Sequence, residues 1–198
     1  LIRVDFIAAG DADYPWVQPD NEWQSMALCY TSGTTGNPKG VVYHHRGAYL
    51  NAISCAMAWN MTHHPVYLWT LPMFHCCGWT FPWTIAALAG TNVCLRRIAA
   101  KPIYDAIADH KVTHFCGAPI VLNFIIHARP EDKRPLPHTV EVMTAGAAPP
   151  AVILRSMEAN GFHITHTYGL TEVYGPAVFN APQDDWAALD EEAYAEKL

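Results

Sequence analysis

The chain has 198 residues, 51% of them hydrophobic and 12% aromatic, which is enough apolar matter to fill the core of one domain and argues against disorder. Its formal net charge is −6, and its basic residues form only small clusters such as Arg96-Arg97 and Lys133-Arg134, so an electrostatic footprint for nucleic acid is not expected. No apolar run reaches the length of a bilayer span, because Pro, Thr, Arg and Gly interrupt every candidate.

Taken in chain order, apolar β-rich runs alternate with helical patterns. Residues 26–30 and 41–43 predict two strands flanking a polar loop. Residues 46–59 carry Tyr49, Ala52, Ile53, Ala56 and Met57 at helical spacing. Residues 66–71 predict a short strand, 79–89 a buried helix with Pro82 near its start, and 92–96 another strand. Pro102 opens a helix with Ile103, Ala106 and Ile107 on one face. Strand 112–116, a helix opened by Pro119, a charged Pro-rich loop over 128–138 and strand 140–144 follow. A helix over 150–160 is stopped by Gly161, and 163–168 returns as a strand. Repeated strand–helix–strand units predict an α/β fold with a largely parallel sheet flanked by helices, whose ligands sit beyond the carboxyl ends of the strands.

The densest signal is the loop at 31–40. Thr31, Ser32, Thr34 and Thr35 supply hydroxyl donors, Gly33, Gly36 and Gly40 let backbone N–H groups face a ligand, and Lys39 adds a cation. Such a loop suits an oxyanion, above all a polyphosphate. It is not a Walker A motif, since Pro38 precedes Lys39 and Gly40 follows it. Six cysteines form no paired C-x-x-C set, so neither a disulfide framework nor a structural zinc site is expected; most read as small buried hydrophobes in a reducing compartment. The first residues show no basic region followed by an apolar core.

Thr31-Ser-Gly-Thr-Thr-Gly-Asn-Pro-Lys-Gly40 resembles the signature loop of the adenylate-forming superfamily of acyl-CoA synthetases, peptide-synthetase adenylation domains and luciferases. Three further segments match that family in order: Pro72-Met-Phe-His-Cys-Cys-Gly-Trp79, Thr144-Ala-Gly-Ala-Ala-Pro149 and Tyr168-Gly-Leu-Thr-Glu172. Tyr43-His-His-Arg-Gly47 and the Trp-rich stretch 69–83 are most similar to the medium-chain acyl-CoA synthetases, including the methylmercaptopropionate–CoA ligase branch. The resemblance covers residues 22–180. It leaves 1–21 as a lead-in and 181–198 as an acidic, helical tail, and it implies a piece of the family's large N-terminal domain. The family's ribose-binding Asp, interdomain hinge and adenylation Lys match nothing here, so the isolated chain is expected to turn over little.

The resemblance implies ATP, Mg²⁺ and coenzyme A as partners, with a carboxylic acid as the second substrate. Thr31, Ser32, Gly33, Thr34, Thr35 and Gly36 would wrap the β- and γ-phosphates, with Lys39 as compensating charge. Thr171 would donate to the α-phosphate and Glu172 would hold Mg²⁺. Tyr168 would stack on adenine beside Gly169, and Gly146, Ala147 and Ala148 would let a planar group lie against backbone. His75 would orient the acid or gate the thiol. Trp79, Met143, Ala145 and Tyr174 are the candidate acyl-pocket residues, with Trp79 shortening the pocket, and Cys77 could shape pocket or channel. Ordinary core packing is the competing reading for those four. A cytoplasmic location and possible self-association complete the expectation. Two rival functions stay open: an adenylate-forming enzyme that loads a carrier protein, and a non-catalytic nucleotide-binding module.

Overall fold

A computed structural model describes residues 8–33, 36–190, 193–194 and 197. Its centre is a six-stranded sheet in the order β4-β3-β5-β6-β7-β8, with β3 at Val66–Trp69, β4 at Thr91–Cys94, β5 at His114–Gly117, β6 at Val140–Thr144, β7 at Phe162–Leu170 and β8 at Gly175–Phe179. The first five are parallel and β8 returns antiparallel to β7. From β3 the chain steps outward to β4, then crosses back to β5 on the other side. A strand order that reverses in this way favours ligands beyond the carboxyl ends of the strands.

Side-chain alternation explains the layers. Leu68, Phe115, Val140, Val142, Phe162 and Ile164 point to one face and pack under the helices Ala100–His110, Pro119–Ile126 and Ala151–Ala159. Tyr67, Trp69, Cys116 and Met143 point to the other, where Ala56 of helix α1 (His45–Ala58) and Phe81 and Ile85 of helix α2 (Phe81–Ala87) close the second core. Tyr67 stacks on Phe81 at 4.9 Å and Trp59 meets Phe81 edge-on at 5.4 Å.

The structure departs from the sequence reading in four places. The strands flanking the polar loop, β1 (Ser25–Tyr30) and β2 (Gly40–His44), form their own antiparallel hairpin outside the main sheet. The helix expected to start at Trp79 starts at Phe81, because residues 76–80 wind the other way. Their φ angles are +43°, +42°, +59°, +54° and +66°. Left-handed backbone costs roughly 1–2 kcal/mol per non-glycine residue, so packing must hold it. Gly78 lies so close to Trp69 that a Cβ would sit 2.8 Å from its ring, and Thr80 Oγ1 donates to Asn51 Oδ1 at 2.8 Å. Strand β8 was missed, since its Gly-Pro start reads as loop; Pro176 is tolerated on an edge strand. Within the expected helical tail, Asp184–Ala188 is a 3-10 turn.

His114, at the start of β5, gives the fold a pH dependence. It is buried with its ring edge-on to Trp59 at 4.9 Å and its Nδ1 2.7 Å from Thr113 Oγ1. Burial pushes its imidazole down to about 4; Glu141 opposes the shift and His138 adds to it. In the unfolded chain a histidine titrates at about 6.5. The stabilisation is therefore full above that value and is lost as pH falls toward the folded one. Between pH 7 and pH 5 His114 should cost the fold about 2 kcal/mol. Urea unfolding of His114→Phe should show a pH 7-to-5 loss smaller by that amount; an unchanged loss would discard the assignment.

Candidate functional site

The hairpin β1–β2 presents the polar loop. Thr31 N–H donates to the Lys39 carbonyl and Lys39 N–H donates to Thr31 Oγ1, both at 3.0 Å, so the loop is clamped at its base. Gly33 takes φ +69°, and Gly36 N–H donates to its carbonyl at 3.3 Å. A Cβ on Gly33 would fall 2.6 Å from Gly36 O and 2.7 Å from Pro38 N, so this curl admits only glycine. Thr34 and Thr35 lie outside the described residues.

Two hydrogen bonds tie the hairpin to the end of β7. Tyr43 Oη donates to the Thr171 carbonyl at 2.6 Å, and His44 N–H donates to Tyr174 Oη at 3.2 Å. Burial pushes the Tyr43 phenol far up, and the thiols of Cys29, Cys76 and Cys77 add to it, so Tyr43 serves as a neutral donor. His44 Nδ1 caps helix α1 by accepting Gly47 N–H at 2.9 Å. The 3-10 turn Thr171–Val173 is thereby held against the hairpin, with Thr171 Oγ1 3.5 Å from Cys76 Sγ.

These elements enclose a cleft of about 960 Å³ lined by Thr31, Ser32, Gly33, Gly36, Lys39 and, opposite, His75, Gly146, Gly169, Thr171 and Glu172. A second, smaller recess of about 50 Å³ adjoins it. His75, Cys76, Gly146 and Gly169 line both, and Trp79, Ala145, Gly175 and Pro176 line only the recess. The left-handed turn is what puts Trp79 there: it brings the Trp79 backbone so close to Gly175 that a Cβ on that glycine would sit 3.0 Å from Trp79 Cα.

The cleft fits a polyphosphate nucleotide. Hydroxyls, a glycine curl and the exposed Lys39 face one wall; the exposed Glu172 carboxylate, a hard oxygen ligand for Mg²⁺, stands on the other. Beside Gly36 and Gly146 no atom lies within 4 Å of an added Cβ, so open space borders both. Tyr168 is 60% exposed on β7 and Ala147 and Ala148 are exposed, but none of the three lines the cleft. Of the four acyl-pocket candidates, Trp79 and Ala145 line the recess. Met143 is fully buried in the core cluster that contains them both. Tyr174, at φ +69°, turns instead onto Tyr43 with ring centroids 4.2 Å apart. The sequence reading missed Tyr43 and His44 as tethers, because their partners lie 128 and 130 positions away.

The profile of the family described as "AMP-binding enzyme" matches residues 5–192. The acetate/butyrate–CoA ligase AAE7, peroxisomal, of Arabidopsis thaliana is 59% identical over 96% of this chain and 34% of its own length. The acetate–CoA ligase CCL3 of Humulus lupulus is 54% identical over 93% of this chain and 33% of its own. The chain therefore spans about a third of the length of these curated relatives. Among solved structures, the inhibitor-bound N-terminal domain of FACL13 from Mycobacterium tuberculosis superposes with a TM-score of 0.77 at 27% identity, over 89% of this chain and 44% of that one. The o-succinylbenzoate coenzyme A synthetase MenE of Bacillus subtilis, in complex with ATP and magnesium ion, gives 0.74 at 26% identity over 89% and 37%.

Proposed function

The chain belongs to the AMP-binding enzyme family, and from that premise we propose that it forms the nucleotide- and acid-holding part of an ATP-dependent acid–CoA ligase acting on short carboxylic acids. The observation that carries this reading is the shared wall: His75, Cys76, Gly146 and Gly169 line both the nucleotide-sized cleft and the small recess closed by Trp79, Ala145 and Pro176. An acid seated in the recess would present its carboxylate where the two spaces meet. At roughly 10–15 Å³ of such volume per water molecule, the recess of about 50 Å³ has room for a few heavy atoms. That suits an acetyl-to-butyryl group, the range named for AAE7.

In the proposed reaction a carboxylate oxygen attacks the α-phosphorus of ATP and pyrophosphate leaves. The thiol of coenzyme A then attacks the acyl carbonyl and AMP leaves. Thr31, Ser32 and the backbone at Gly33 and Gly36 hold the outer phosphates, with Lys39 offsetting their charge. Thr171 donates to the α-phosphate. Glu172 would hold Mg²⁺, which supplies charge neutralisation across the phosphate oxygens. His75 orients the acid at the junction, and Tyr168 offers an exposed ring to adenine. Positioning and charge stabilisation carry the first step. The exposed Trp16, Tyr49 and Met57 are apolar surface that the rest of the parent protein or a second copy would cover. For the compartment, cytoplasm has a rival in the peroxisome of the named Arabidopsis relative.

The test is acid-dependent ATP–pyrophosphate exchange by the parent protein with straight-chain acids from acetate to palmitate, then thioester formation on adding coenzyme A. Exchange confined to short acids is expected; exchange with none of them, by a folded protein that binds MgATP, would sink the reading. Trp79→Leu should move the preference toward longer acids, each added methylene shifting discrimination by about 1–3 kcal/mol. An unaltered preference would mean Trp79 does not bound the acyl group.

A further inference from the structure

Two thiols meet where the phosphate hairpin touches the His75 turn. Cys29, buried on β1, and Cys77, half-buried in the left-handed turn at φ +42°, have their Sγ atoms 2.8 Å apart across 48 positions of sequence. Unbonded sulfur atoms do not normally approach so closely, and a disulfide needs a further closure only to about 2.05 Å. Cys29 immediately precedes Tyr30, and Cys77 lies two positions after His75; both of those neighbours line the cleft. Neither thiol has a part in the reaction proposed above.

We propose that Cys29 and Cys77 form an oxidation site at which a hydroperoxide closes a disulfide, covalently joining the phosphate hairpin to the His75 turn. The half-buried Cys77 meets the oxidant first. Its sulfur attacks one peroxide oxygen, the O–O bond breaks, and with hydrogen peroxide the leaving hydroxide takes up the thiol proton as water. The resulting sulfenic acid is attacked by the Cys29 sulfur; the S–O bond breaks, the S–S bond forms, and the departing hydroxide takes the second thiol proton. Two thiols are oxidised to one disulfide and one peroxide is reduced to two waters. Burial, then the neighbouring Cys29, holds the Cys77 thiol up at about 12, so the site reacts slowly and tolerates brief exposure. The bond would immobilise one wall of the cleft against the other, whatever acid the protein uses.

The experiment uses the chain with Cys94→Ser, because the exposed Cys94 would otherwise join chains together. The protein is treated with hydrogen peroxide, its remaining thiols are alkylated in denaturant, and its peptides are mapped by mass spectrometry. Hydrogen exchange is followed in parallel over residues 30–40. The expected result is the loss of two thiols, a peptide pair joined through Cys29 and Cys77, and several-fold slower exchange over those residues that dithiothreitol reverses. Cys29→Ala in the same background should form no such link and show no slowing. The proposal is overturned if no thiols are lost, if the bond found is Cys76–Cys77 or between chains, or if the Cys29–Cys77 bond forms and exchange is unchanged.

Discussion

Replacing Glu172 by Gln is expected to reduce acid-dependent ATP–pyrophosphate exchange by the parent protein about 10²–10³-fold, with no change in thermal unfolding. The carboxylate is exposed at the cleft wall, on the 3-10 turn that Tyr43 fixes through the Thr171 carbonyl. Glutamine keeps the size and the hydrogen-bonding reach but removes the charge, so the fold has nothing to lose. Mg²⁺ held there with the nucleotide phosphates would depend on that charge, since a hard dication takes oxygen ligands and Glu172 would be its protein carboxylate. The loss should be partly recovered at high Mg²⁺. Exchange close to that of the unaltered protein at limiting Mg²⁺ would remove Glu172 from the metal site.

Gly169→Ala should be the most damaging single methyl in the structure. At Gly169 the β7–β8 register shifts, and an added Cβ would overlap the Gly175 carbonyl, which is backbone and cannot swing aside. Either β8 separates from β7 or the pair slides. Both outcomes displace Gly175 and Pro176 from the recess wall and pull the Thr171–Val173 turn out of place. A stability loss of about 4 kcal/mol or more is expected, together with loss of nucleotide binding. Gly36→Ala is the control: a Cβ there meets nothing within 4 Å. Urea denaturation compares them, and equal midpoints for the two variants would refute the overlap.

Most of the parallel sheet was legible because its strands are short apolar runs, buried on both faces, set between longer helical patterns. Val140, Val142 and Met143 sort to opposite layers by parity alone. Gly161 stops its helix as expected, at φ +87° with its N–H donating to Glu158 at 2.9 Å. What could not be read depends on partners distant in sequence. Nothing in Cys76-Cys-Gly-Trp-Thr80 signals a left-handed turn; Trp69, Asn51 and Gly175 impose it from outside. Nothing in residues 25–30 says that β1 pairs only with β2. In the site, Thr31, Ser32, Lys39, His75, Gly146 and Glu172 were visible as motif residues and share one cleft. Tyr174 was named for the acyl pocket, but it does not line the recess: its backbone is left-handed and its ring packs on Tyr43, a contact distant in sequence that no local pattern signals.

The separateness of the β1–β2 hairpin also sets how the chain tolerates insertions and deletions. A residue added to β6 would exchange Val142 and Met143 between the two helical layers and spoil both cores at once. A residue added at the hairpin tip changes only a loop already closed at its base by Thr31 and Lys39, where even a doubling of length costs about 0.6 kcal/mol in closure entropy. The loop at the hairpin tip can thus be lengthened or reshaped by design without renegotiating the core, so long as the curl at Gly33 and the tether from Tyr43 to Thr171 are kept.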